Sequence, residues 1–184
     1  MYGQKSSPVS IIIKIILILL LLFIGYKIYL YFFPNVTDIT PYINMSENDL
    51  EDNLKISLEP NEKMANKIHH YSNGKVTVSG TQKGICVIYI DNKQAGIHID
   101  SKHFSMFGIN MGNAEQTVSK NTSFVYDINF TVVNDYIDST STSYYYCNTT
   151  TDECLIVTAN GTTNRVVALT YFYDRHKALE NLSY

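Results

Sequence analysis

The residues most able to do chemistry are few: three cysteines, five histidines and a spread of carboxylates. Cys147 and Cys154 flank the loop Asn148-Thr-Thr-Thr-Asp-Glu153. The stretches Ser143–Cys147 and Cys154–Ala159 read as strands, which puts the two sulfurs at the facing ends of a hairpin. Directly opposed residues of an antiparallel ladder come within disulfide reach, so oxidation of the two thiols is the chemistry this spacing suits. Closing so short a loop is worth roughly 2–3 kcal/mol on a chain-entropy argument. Two reduced thiols are the alternative. Cys86 lies in the apolar run Ile-Cys-Val-Ile-Tyr-Ile and is expected to be a small buried hydrophobe. A nucleophilic thiolate would need an exposed, electropositive setting.

The histidines are His69, His70, His98, His103 and His176. His98 and Asp100 alternate along one expected strand, with His103 close behind. Metal sites ask for convergent sets such as H-x-H or H-E-x-x-H, and this pattern is better read as a solvated strand face. No G-x-S-x-G, P-loop or G-x-G-x-x-G occurs. Glu115, Asp135 and Asp138 are scattered and are expected on solvated faces, with nothing pairing them for acid–base work. The expectation is a chain with no catalytic residue, no metal ligand and no cofactor. An enzyme with a site of unrecognised type is the alternative.

Two further patterns bear on binding. Asn-x-Ser/Thr sequons stand at Asn35, Asn44, Asn121, Asn129, Asn148, Asn160 and Asn181. They would accept glycans in a eukaryotic secretory setting and mean nothing in a bacterial one. Asp138–Tyr146 reads DSTSTSYYY, either a Tyr-rich binding face or a strand with one buried Tyr face, the second being preferred.

These residues need elements to hold them. Val9–Phe33 is almost wholly apolar, and 25 helical residues span roughly 37 Å, enough to cross a bilayer. Lys14 and Lys27 lie near its ends and can snorkel, while Tyr29, Tyr31, Phe32 and Phe33 suit an interfacial belt and Pro34 stops the helix. A cleaved signal peptide is the competitor, but no A-x-A-like site follows. Lys5 and Lys14 precede the apolar core, whereas Asp38, Glu47, Asp49, Glu51 and Asp52 follow it. The positive-inside rule then keeps the N-terminus cytoplasmic and exports the rest. Three of the 14 basic residues precede Pro34 and all 17 acidic ones follow it, leaving the exported part at a net −6. That charge offers no footprint for nucleic acid.

The expected plan is a cytoplasmic tail at 1–8, a transmembrane anchor at 9–33, a polar linker at 34–42 and two α+β units at 43–101 and 102–184. Ser46 is a good N-cap with Asp49 three residues on, and Leu50, Leu54 and Leu58 give an apolar stripe. Pro60 and Asn61 interrupt it, and Glu62–His70 suits a second short helix. From Lys75 the period becomes two. A hairpin follows, with strands Ile85–Ile90 and Ala95–Asp100 joined at Asp91-Asn92-Lys93. Ile109-Asn-Met-Gly then echoes Ile43-Asn-Met-Ser, each opening a helix at its small residue. Val166–Tyr173 returns as a last strand after an Asn160-Gly161 turn, and Arg175–Leu182 suggests a short terminal helix. The whole reads as an α+β chain: an N-terminal transmembrane helix plus two tandem helix-plus-antiparallel-sheet units.

Ile109–Glu115, the weaker copy Ile43–Asp49, and the hairpins ending at Gly96-Ile97 and Arg165-Val166 together resemble the tandem repeats of the beta-lactamase-inhibitor-protein type. They are also similar to the related CAP-associated N-terminal domain of Gram-positive exported proteins. The resemblance implies a binding or envelope-scaffold role, and it brings no catalytic residue. The partners expected are membrane lipid, through the N-terminal helix, and a protein at the cell surface. A pilin-like subunit also joins an apolar N-terminal helix to a β-rich domain with a disulfide loop. Pilins, however, carry a helix Glu after a processing site, and here no acidic residue precedes Asp38.

Overall fold

A computed structural model describes residues 8–32, 35–68, 74–121, 124–134, 139–148 and 150–174. The chain divides into two units, Met1–Asn35 and Val36–Tyr184. In the first, α1 (Pro8–Phe32) is one unbroken helix. Pro8 at its first position lacks only an amide that no helical carbonyl would have accepted. Apart from the half-buried Leu30, its large apolar side chains stand 45–81% exposed all round the helix. The stretch Ile11–Phe32 is long and apolar enough to span a membrane. Lys14 and Lys27 are exposed on this helix. The Lys27 ammonium lies 5.6 Å from the Phe23 ring centroid, one turn back. Lys5, Phe33 and Pro34 lie outside the described residues.

The second unit is α+β and sheet-rich. A small sheet joins β1 (Thr37–Asp38) in parallel to β6 (Phe104–Met106), which pairs antiparallel with β7 (Ile109–Asn110). The expected linker is therefore part of the folded unit, and Ile39 within it is fully buried. Thr37 and Asp38 are exposed, which gave the segment its polar look, but their backbone is spent on β6.

Two short helices follow. In α2 (Glu47–Leu54), Ser46 Oγ accepts from the Asp49 amide at 3.3 Å and donates to the Asp49 carboxylate at 2.6 Å. In α3 (Glu62–Ile68), Asn61 Oδ1 accepts from the Met64 amide at 3.0 Å. Asn61 thus ends nothing; it caps the next helix.

The main sheet contains β2 (Glu59–Pro60), β3 (Val76–Thr81), β4 (Ile85–Ile90), β5 (Lys93–Ile99), β8 (Val125–Asn134), β9 (Ser139–Cys147), β10 (Cys154–Asn160) and β11 (Val166–Phe172). Its order is β2-β3-β4-β5-β11-β10-β9-β8, with every pair antiparallel. The β4–β5 turn places Asp91 and Asn92 at φ 52° and 63°, the two positive values a type I′ hairpin requires. Gly96 permits the β5–β11 junction, because a Cβ there would come within 2.1 Å of the Tyr171 carbonyl oxygen.

Both sheet faces are covered. One carries Val87, Ile97, Ile99, Leu155 and Tyr171 against Ile39, Leu50, Met106, Ile109 and Val118. The other carries Val78, Ile88, Ile156 and Phe172 against Met64 and Ile68 of α3. Two-sided burial explains the near-continuous apolar runs of β4 and β10, and each fully buried Ile or Leu contributes roughly 1.5–3 kcal/mol. The second Ile-Asn-Met segment departs from expectation. Gly112 sits in a turn at φ 87°, and the helical path begins only with a 3₁₀ turn at Glu115–Thr117 that leads into α4 (Val118–Asn121). The expected terminal helix beyond Asp174 lies outside the described residues.

Candidate functional site

The strongest chemical grouping is a row across the α3-covered face. The ladders align Cys86 on β4, His98 on β5 and Thr170 on β11. His98 Nδ1 lies 2.8 Å from Thr170 Oγ1, and its Nε2 lies 3.9 Å from Asp100 Oδ2. Hydroxyl, imidazole and carboxylate in that order resemble a nucleophile, base and orienting acid. Burial decides against that use, since Thr170 is 1% exposed and no substrate reaches its hydroxyl. His98 is 8% exposed, so the expected solvated face is corrected: only Asp100 at the strand end is open to water. Alternation misled here because both faces of this sheet are covered. Cys86 is 1% exposed, and its Sγ would stand 2.5 Å from a Cβ on Gly80. The thiol therefore leans over β3, away from His98 on β5. His103 is exposed, while His69, His70 and His176 lie outside the described residues. Among the described residues, no three His, Cys, Asp or Glu side chains converge as a metal site requires.

A second grouping consists of phenols that tie loops to the sheet. Tyr89 on β4 donates to Glu47 in the first turn of α2, and Tyr146 on β9 donates to Glu115. Tyr171 on β11 donates to Glu153 at 2.5 Å. Tyr173 donates to the Ile43 carbonyl at 2.6 Å and accepts from Gln94 at 2.8 Å, and Gln94 also donates to the Met45 carbonyl at 2.7 Å. Burial, then the adjacent carboxylate, raises the pKa of Tyr89 and Tyr171 above the usual phenol value. Burial raises Tyr173 as well, against the opposing pull of the Gln94 hydrogen bond. All three are therefore neutral donors at ordinary pH. Glu115 is thus a bonded anchor and not the solvated carboxylate expected. Asp135 and Asp138 lie outside the described residues.

Contacts at the two ends of β11 dock both Ile-Asn-Met segments on it. Tyr173, just past its end, holds Ile43. At its start, Val166 exchanges backbone hydrogen bonds with Gly112 and Asn113 at 2.7 and 2.9 Å, and the Arg165 guanidinium donates to the Gly112 carbonyl at 2.7 Å. The Tyr run is also corrected. Tyr145 and Tyr146 point to opposite faces and are each 2% exposed, so neither face of the run is an open binding surface. Sequence alternation did not reveal this, since the residues covering the two faces come from distant segments.

Cys147 and Cys154 are register partners, with their sulfurs 3.5 Å apart and both side chains buried. The Asn148 amide donates to the Glu153 carbonyl at 2.9 Å, which makes 148 and 153 a hydrogen-bonded pair. By ladder alternation, 147 and 154 form the close, non-hydrogen-bonded kind, the position from which a cross-strand disulfide is reached with least movement. The sequons at Asn35 and Asn44 are exposed; Asn148 and Asn160 are partly exposed in hairpin loops, where each side chain accepts from the amide of its own +2 Thr at 2.9 and 3.0 Å. The Asn181 sequon lies outside the described residues.

No protein-family model, curated protein or solved structure matches this chain.

Proposed function

We propose that this chain is a membrane-anchored extracytoplasmic binding or envelope-scaffold protein without catalytic activity. The observation that carries the reading is the contrast in exposure. Among the residues whose side-chain exposure is described, a set that leaves out 125–140, every exposed large apolar side chain except Val36 and Val167 lies on α1. Such a helix is stable in lipid and costly in water. The Thr170 hydroxyl, Cys86 thiol and His98 imidazole of the main sheet's buried row are meanwhile closed to substrate. Lys5 and Lys14 at the N-terminal end of α1, with no Lys or Arg between Lys27 and Lys55, support export of the part beyond Pro34, with the N-terminus cytoplasmic. The oxidising compartment this implies favours a Cys147–Cys154 disulfide.

The folded part is read as two tandem helix-plus-sheet units, β2–β5 and β8–β11, whose last strands β5 and β11 meet. The strand order supports this: each half runs as a meander, and the order reverses across the junction. It also accords with the resemblance to beta-lactamase-inhibitor-type repeats. Crosslinking in intact membranes tests the function. The reading expects the folded unit to link reproducibly to one envelope component. A unit that crosslinks to nothing beyond the lipid-facing neighbours of α1 would contradict it.

A further inference from the structure

The two edges of the main sheet are unlike. At one edge, β2 is two residues long and contains Glu59 and Pro60, both of which discourage strand addition. At the other, β8 is ten residues long, with Asp127 as its single charge and neither Lys nor Pro. Among the described residues, no strand pairs with its outer side. Such an edge is a template for another strand.

From this asymmetry, and from the anchored reading above, we infer that β8 pairs antiparallel with β8 of a second copy, joining two main sheets across a two-fold axis. Two features choose this occupant. Head-to-tail pairing of β8 with β2 would meet a two-residue edge containing a proline, so a chain of copies gains almost no ladder. Identical strands related by a two-fold axis pair over their shared length. Anchoring in one membrane also holds copies at high effective concentration.

Ladder alternation identifies the groups involved. Because 147 and 154 are a non-hydrogen-bonded pair, the Cys147 and Tyr145 backbones turn toward β8. Their partners Val125 and Ile128 therefore turn inward, as do Phe130, Val132 and Asn134. Asn129, Thr131 and Val133 present their amides outward. Thr131→Pro removes one outward donor from each copy and leaves the β9 ladder intact.

The test uses the full chain in detergent micelles, with native mass spectrometry over a concentration series. Wild type is expected to dimerise. Thr131→Pro and Val133→Lys should each raise the dimer dissociation constant at least about tenfold with an unchanged circular-dichroism spectrum. Amide exchange at 129, 131 and 133 should slow as wild-type concentration rises, a readout that needs no variant. A monomer at every concentration, dimerisation unaffected by both variants, or concentration-independent exchange at those amides would overturn the proposal. Carbonate extraction of the source membranes reads the anchor separately, so loss of the dimer and loss of the anchor are distinct results.

Discussion

The eight isoleucines of α1 from Ile11 to Ile28 stand 45–59% exposed, whereas Ile85, Ile97, Ile99 and Ile109 of the folded unit are fully buried. The side chain is the same and its surroundings are opposite. In Val36–Tyr184 the sheet carries its own cover on both faces, from α2, α3 and the small β1-β6-β7 sheet. The helix α1 turns apolar groups outward over its full circumference, which only an apolar solvent or partner satisfies. The lesson is that hydrophobicity alone does not define a core; a core also needs a partner surface, and on the anchored reading proposed above α1 takes lipid in that role.

The sharpest way to break this comparison is a matched pair of truncations. Leu155→Ala, in the middle of the sheet, should destabilise the folded unit by about 2–5 kcal/mol in denaturant unfolding. Leu20→Ala on α1 should leave that unit's midpoint where it was. Equal effects would show that α1 packs as core.

Reduction of the proposed Cys147–Cys154 disulfide comes next, with an expected loss of roughly 2–3 kcal/mol measured with and without reductant. An unchanged midpoint, together with two alkylatable thiols before reduction, would remove the staple from the account.

Tyr171→Phe should cost about 1.5 kcal/mol by taking the donor from Glu153. Its pH counterpart has a definite sign. The folded-state phenol pKa of Tyr89 and Tyr171 is raised, so the folded state retains protons that the unfolded state gives up. Their contribution is complete below the ordinary tyrosine value of about 10 and declines as pH rises above it. Phenolate absorbance should therefore show a fraction of the tyrosines ionising late, together with unfolding; a single ordinary titration would contradict the buried pairs. The smallest effect expected is Ser46→Ala, about 1 kcal/mol from the lost α2 cap.

What the sequence disclosed follows from the range of its signals. The apolar run of α1, the Ser46 cap, the Asp91-Asn92 hairpin and the strand bearing Cys154 are local patterns and appear within a residue or two of their expected places, whereas the strand bearing Cys147 begins at Ser139, four residues before the expected Ser143. Burial of His98 and Glu115's bond to Tyr146 depend on segments far apart in sequence: Thr170 lies 72 residues from His98, and Tyr146 lies 31 from Glu115. Ile39 was concealed by exposed neighbours whose backbones pair with β6. The strand β8 carries a weak sequence signal because Asp127 and Asn129 interrupt its apolar run, and a register shift between Tyr126 and Ile128 breaks its alternation. The helix after the second Ile-Asn-Met begins late because Gly112 and Asn113 are committed to Val166.

The central claim is that α1 fixes the chain in a membrane with the folded unit outside. Alkaline carbonate extraction combined with protease treatment of intact cells tests both halves at once. The account predicts that the chain stays with the membrane pellet and that protease added outside removes epitopes beyond Asn35. Release into the carbonate supernatant, or full protection of those epitopes until the cells are lysed, would contradict it.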